Sequence, residues 1–462
     1  MKNLYWFIIW FQVSCTPGGI TEVNEYDLVI ENVGLIDGTG SALQEKASLY
    51  VRDGKIALIT KIPLRHVVPK ITIDGTGKFI IPGLIEAHAH PSEIDVDSVA
   101  RKDFPHSFKT MIHYGVTSAV LLGSANGGYA LMKELQESSN NGSMVAPRIH
   151  YSSPILTIEG GHPVKMYPSD KWIDGQTIYY LKETTPISSI IREAKANRAI
   201  GMKIVVEDGP MPPFGDRMAD DLVKKVVEEA HAAEVPVYAH VSDMEEVKIC
   251  VAAGVDNLVH FTCVRINWDT DRETIEKMRN SETSWVTTLM LLKSLVYYRL
   301  HPEWLERPEI TRVYNRSYIE GLKSPAMDVQ GKNILKGMAG SDTLSLEAVV
   351  TPVVQDLMKV QEMGVNVVLG TDVGGDRFIL PGLSMHEEME LMQMGGMEPL
   401  HIIRMATFNG AKMLGIDKEI GTLEEGKFAD FVLLAKNPLQ DITNTLTIEK
   451  VFKGGKEQAR LK

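Results

Sequence analysis

Between residues 84 and 371 the sequence repeats one pattern: a short apolar run, a stretch of helical periodicity, then another apolar run. The runs fall at 84–90, 116–122, 148–154, 202–207, 236–241, 257–261, 284–290 and 366–371. The helical pattern is clearest at Asp220–Ala233, Met244–Ala253 and Val353–Met363. Alternating β and α units impose a parallel sheet, because parallel neighbours need a crossover long enough to hold a helix. Eight such units predict a (β/α)8 TIM-type barrel. Gly254 and Gly364 each stand just ahead of a strand, as helix C-cap glycines do.

The two ends read differently. Short strands are expected at 27–31, 47–51 and 55–59, with Asp53-Gly54 as a hairpin turn, and again at 429–435 and 447–452. Neither end is large enough for its own core, so they are expected to pair into one small composite β-sandwich. The expected division is a leader and linker at 1–23, sandwich segments at 24–82 and 416–462, and the barrel at 83–415. No GxGxxG follows any of the end strands, which removes support for a dinucleotide fold.

The first residues carry one lysine and then the apolar run from Leu4 to Cys15. That is too short for a membrane-spanning helix and fits the core of a secretory signal. Ser14 before Cys15 matches a bacterial lipoprotein cleavage site, although Gln12 stands where leucine is usual. The expectation is export and lipid anchoring at Cys15, on the periplasmic or cell-surface side. Cys250, in a helical stretch, and Cys263, beyond a strand, are read as buried thiols and not as a bridged pair. A net charge of -12 without clustered Lys or Arg argues against a nucleic-acid partner.

Function is carried by what stands at the strand ends. The run Phe79–His90 closes on His88 and His90, spaced i, i+2, so both imidazoles leave the same face of a strand. Three later runs end in His240, His260 and Asp372. Taken singly, each is an ordinary satisfied core or capping residue. Four such endings on one side of a barrel are hard to attribute to coincidence. Lys203 adds an amine early in a buried strand, where an ammonium is costly and a free amine is favoured. Pairing with Glu207 or Asp208 is the structural alternative for that lysine. Two connections are long: one at 156–187 carrying Gly160-Gly161-His162, the other between the seventh and eighth strands carrying Tyr297, Tyr298 and Trp304. Both are read as a substrate cover, with a plain helical insertion as the alternative for the second.

These residues, with Pro82–His90, Gly370-Thr-Asp372, the tail Met405–Ile416, Gly421–Asp430 and Asn437-Pro-Leu439, resemble the amidohydrolase superfamily over nearly the whole chain from Tyr26 to Lys456. Gly160-Gly-His162 and Met385-His-Glu-Glu-Met are most similar to its prolidase-like and imidazolonepropionase-related branch. The resemblance implies two divalent metal ions, zinc being the expected element. His88, His90 and Asp372 would hold the buried ion and His240 and His260 the more exposed one. Lys203, carbamylated by carbon dioxide, and a hydroxide would bridge them. It implies hydrolysis of a carbon–nitrogen bond, that of a dipeptide or N-acyl amino acid, by attack of the bridging hydroxide. Asp372 would serve as base and acid. His162 is a candidate contact for the substrate or its oxyanion, with a loop histidine bonded to the backbone as the alternative. Ala89 stands where Val or Thr is frequent. The alternatives are a cyclic amidase, a deaminase, a phosphate-ester hydrolase or a non-catalytic barrel lipoprotein. Against the deaminase, the HxxE frequent after the fifth strand is replaced by His240-Val-Ser-Asp243. Glu387 and Glu388 are read as structural residues of the last barrel helix, and homo-oligomer formation is left open.

Overall fold

The computed structural model describes residues 24–90, 104–123, 128–165, 172–209, 215–261, 264–298, 301–323 and 345–461. The expected leader with Cys15, and Cys263, lie outside them. The first five strands are β1 (Asn24–Leu35), β2 (Gln44–Arg52), β3 (Lys55–Thr60), β4 (Val67–Asp74) and β5 (Phe79–Pro82). Ten more follow: β6 (Leu84–Ala89), β7 (Val116–Leu121), β8 (Arg148–Tyr151), β9 (Ile155–Thr157), β10 (Ile178–Tyr180), β11 (Met202–Val205), β12 (Val237–His240), β13 (Asn257–Val259), β14 (Ser284–Val286) and β15 (Asn366–Val368). The chain closes with β16 (Phe431–Leu434), β17 (Ile448–Lys453) and β18 (Lys456–Glu457).

The two β-rich ends share one sheet, in the order β18-β17-β16-β5-β1-β2-β3 with β4 on β1. Its central junction is antiparallel, Phe431 facing Pro82 and Leu434 facing Phe79. The expected hairpin turn joins β2 to β3, and Asp53 and Gly54 both adopt positive φ, as a type I′ turn requires. Inward-pointing Leu28, Ile30, Leu49, Val51, Phe431 and Phe452 form the core of this sheet. Asp430 ties it to the rest: its carboxylate accepts both Arg148 Nε (2.9 Å) and Nη2 (3.2 Å), a two-pronged bond that planar guanidinium favours.

Strands β6 to β15 are parallel and lie in two sheets, β6-β7-β8 and β10-β9-β11-β12-β13-β14-β15. Backbone bonds run between the sheets at both edges. Ile200 and Ser153 donate to Tyr151 (2.8 Å) and Gly201 (2.9 Å), and Asp372 and His90 donate to His88 (2.9 Å) and Val373 (2.5 Å). One side chain from each of six strands meets in a single interior cluster: Ala87, Val120, Tyr238, Val259, Val286 and Val368. The intervening helices bury one stripe against the strands. Ile187, Ile190, Ile191 and Ala194 do so in Ile187–Ala196, and Val223, Val226, Val227 and Ala230 in Asp220–Ala232. Helix Met244–Ala253 starts with a reciprocal capping box between Asp243 and Glu246 and ends on left-handed Gly254, as expected. It buries free Cys250. No helix among the described residues is long and apolar enough to cross a membrane.

Several boundaries differ from expectation; the strands expected at 202–207, 284–290 and 366–371 stop at Val205, Val286 and Val368. The strand predicted at 148–154 stops at Tyr151, and after Ser152-Ser153-Pro154 the chain resumes as β9. Pro154 has no N–H to give a ladder. The connection at 156–187 is not loop throughout, since β10 pairs in parallel with β9. The helix expected from Val353 begins at Leu346, where Ser345 caps it, and runs through Pro352. Between β14 and β15 most of the described residues are helical, and Tyr298 and Trp304 are buried and stacked, with ring centroids 3.7 Å apart. The Tyr298 hydroxyl donates to Glu387. Those two aromatics therefore serve packing and not a substrate cover; only Tyr297 of the three is exposed.

A candidate metal centre at the strand ends

Four of the expected histidines and Asp372 stand at or just past the carboxyl ends of parallel strands, whereas Lys203 lies early in its strand and His162 on the connection after β9. His88 and His90 end β6, Lys203 is the second residue of β11, His240 closes β12, His260 follows β13, and Asp372 lies four residues past β15. The rings form a continuous row: His90 and His88 have centroids 4.7 Å apart, His88 and His260 4.8 Å, His260 and His240 4.1 Å, and His240 and His162 5.0 Å. Asp372 Oδ1 is 2.9 Å from His88 Nε2 and 3.4 Å from His90 Nε2. The i, i+2 reading of the histidine pair is thus realised, with both rings turned to one carboxylate.

Two groups bring three donor atoms within 4.8 Å of one another: His88, His260 and Asp372, and His162, Glu207 and His240. Sequence reasoning paired His260 with His240; here His260 also belongs beside His88 and Asp372. His162 joins a donor set, a place not assigned to it from sequence. Glu207 is the residue that was missed. It was considered only as a partner of Lys203, yet its Oε1 lies 2.8 Å from His240 Nε2 and 3.3 Å from His162 Nε2. The available signal was a carboxylate four residues beyond Lys203, at the end of the run Lys203-Ile-Val-Val-Glu207.

Burial sets the electrostatics. The His88 and His260 rings are pushed well below the usual histidine range, first by loss of water and then by neighbouring Lys203 and histidines. His90 is lowered to about 3 and His162 to about 4, again chiefly by burial. These imidazoles are neutral at pH 7 and offer lone pairs. Burial lowers the Lys203 amine to about 7, against the opposing pull of Asp372 and Glu207. Both His88 ring nitrogens, His260 Nε2 and Lys203 Nζ lack a hydrogen bond of adequate geometry. Buried polar atoms left this way are costly unless something binds them.

An outer layer holds the donors in place. Glu86 accepts the His88 N–H (3.0 Å), the Thr371 N–H (2.9 Å) and the Thr371 hydroxyl (2.7 Å), joining β6 to the segment carrying Asp372. Glu388 accepts Thr287 Oγ1 (2.6 Å), Leu289 N (2.8 Å) and Met290 N (2.7 Å), and the adjacent Thr288 hydroxyl meets His260 Nδ1 at 3.2 Å. Glu387 and Glu388 are therefore buried residues of helix Leu383–Met394 with structural partners, as expected. Asp372, His260 and Thr288 hold φ of 62°, 78° and 60°. Left-handed backbone at non-glycine residues costs on the order of 1 kcal/mol each and clusters at functional sites.

The sequence model of the amidohydrolase family matches residues 79–457. The ochratoxinase of Aspergillus niger is 24% identical over 95% of this chain and 88% of its own. The 5'-deoxyadenosine deaminase of Methanothermobacter thermautotrophicus is 24% identical over 84% of this chain and 81% of its own. Among solved structures, a Xaa-Pro dipeptidase with methionine in its active site superposes with a TM-score of 0.69 at 22% identity, covering 94% of this chain and 100% of that one. That likeness establishes an α/β, TIM-barrel-like fold. With a family match spanning the strands, the site and the tail, the chain belongs to the amidohydrolase family.

Proposed function

We propose that this protein is a metal-dependent hydrolase of carbon–nitrogen bonds in small amides, dipeptides or N-acyl amino acids being the substrate class. The observation that carries the reading is the convergence of five histidines and two carboxylates at one end of the parallel strands, with the Lys203 amine in electrostatic reach of Asp372 and Glu207. Neutral imidazole and carboxylate are the donor chemistry of zinc and related divalent ions, and the orphaned ring nitrogens fit such ions. His88, His90, His260 and Asp372 would hold one, and His240 with the residues around it the second. The low-pKa amine of Lys203 suits carbamylation. The family match and the likeness to an ochratoxinase and a dipeptidase support the reaction class.

When bound, the ions supply Lewis acidity and lower the pKa of water enough to provide hydroxide near neutral pH. Asp372 donates its N–H to the His88 carbonyl and Thr371 donates to the Glu86 carboxylate, which fixes the segment carrying the Asp372 carboxylate; that carboxylate would take a proton and return it to the leaving nitrogen. His162 stands beside His240, with its carbonyl fixed by the Thr157 hydroxyl at 2.8 Å. We read the two parallel sheets as one closed eight-unit barrel, covering 83–415, with the end segments 24–82 and 416–462 as its companion β domain. We also keep the lipid anchor at Cys15 as a proposal; membrane fractionation of Cys15→Ser against the parent chain tests it.

The functional reading is tested with a library of dipeptides and N-acyl amino acids. Amine release is expected from a subset, lost on chelation and restored by zinc. Turnover of phosphoesters or aminopurines alone, with every amide inert, would overturn it.

A further inference from the structure

We propose that Glu207 is an anionic ligand of the second metal site, acting with His162 and His240. The inference rests on the metal-dependent reading above and deepens it at one site. Glu207 is 1% exposed, and neither carboxylate oxygen makes a hydrogen bond of adequate geometry. Its Oε1 lies 2.8 Å from His240 Nε2 and 3.3 Å from His162 Nε2, and the three donors fall within 4.8 Å of one another. Among the described residues no lysine or arginine forms an ion pair with it, and Lys203 Nζ, on the same strand run, makes no hydrogen bond at all.

A buried carboxylate that forms no ion pair with lysine or arginine and makes no hydrogen bond of adequate geometry is expensive to hold. A divalent ion would offset that cost. It would also lie within reach of the ring nitrogens that face Glu207, so one cation can take all three donors. The consequence is specific to this chain: the second ion gains a permanent protein carboxylate and does not depend on a lysine carbamate for its negative charge.

The test is metal binding. Wild type, Glu207→Gln, Glu207→Asp and His162→Ala, each stripped and reloaded with zinc, are compared for ions bound per chain and for Kd against a chromophoric chelator. The cobalt-substituted proteins are compared by visible absorption. Glu207→Gln and His162→Ala are expected to lose the same one of two ions, with its Kd weakened on the order of 100-fold or more. Their cobalt spectra should change, and Glu207→Asp should keep part of the affinity. Two ions retained by Glu207→Gln with unchanged Kd and cobalt spectrum would overturn the inference, as would a weakening below tenfold with the spectrum intact. If Glu207→Gln does not fold, His162→Ala and Glu207→Asp decide alone. Because binding is read without substrate, failure to hydrolyse any amide would count against the proposed function and leave this result standing.

Discussion

Gly374 and Gly375 follow Asp372 directly, and adding one methyl at each should have opposite consequences. A Cβ on Gly375 would lie 2.6 Å from Asp372 Cγ and 2.7 Å from Oδ1, and closer still to Oδ2. Ordinary contact begins at 3.4 Å, so the carboxylate must retreat by about 1 Å. The obstacle is the end of a side chain, which rotates cheaply, so Gly375→Ala should cost no more than about 1 kcal/mol of stability. The same retreat pulls Oδ1 away from His88 and His90. A misplacement of this size in a reacting group costs on the order of 100-fold in rate. A Cβ on Gly374 meets backbone instead: it would lie 2.5 Å from the His90 carbonyl carbon and closer still to its oxygen, at φ +99°. Gly374→Ala should therefore destabilise the fold by several kcal/mol. Urea unfolding, zinc content and amine release by both variants separate the two effects. Full activity and metal content in Gly375→Ala, or a larger loss of stability there than in Gly374→Ala, would refute the reasoning.

Other expectations follow from single contacts. Equilibration with 13C-bicarbonate should give zinc-loaded protein one bound carbamate resonance, missing from Lys203→Ala; no resonance in the fully loaded protein would remove the carbamate. Arg148→Ala leaves Asp430, 5% exposed, with the Gly454 N–H at 2.5 Å in place of its guanidinium, and should cost about 3 kcal/mol in urea titration. Glu388 is raised by burial to about 8, above its ordinary 4.5, so the folded state holds its proton more tightly. Stability from this group is complete below about pH 4.5 and is lost as pH rises through about 8. The stability of wild type minus that of Glu388→Gln should therefore fall between pH 5 and 8; a difference independent of pH would contradict the assignment.

The parallel strands and the helices between them were readable because their apolar runs and 3.6-residue stripes answer to one burial rule. Ile187, Ile190, Ile191 and Ala194 show that rule directly, and His88, His90, His240 and His260 stand where those runs end. What was not readable depends on which way side chains turn after a strand has finished. Glu207 could serve Lys203 or the histidines, and only the path beyond Val205 turns it to His162 and His240. His162 sits on a long connection whose return as β10 leaves no periodic trace. Tyr298 and Trp304 looked like a cover because aromatics on long connections often are, but their mutual stacking and the Glu387 contact are long-range facts. The break at Pro154 was visible in composition, whereas the resumption as β9 required the partner strand β11.

The central claim is that this cluster performs hydrolysis and does more than hold metal. The most direct test is the rate of amine release by wild type and Asp372→Asn at matched zinc content, on the best substrate of the library. The account predicts a fall of about 100- to 10,000-fold when the carboxylate proposed to carry the proton is replaced. Equal rates at equal metal content would contradict the account.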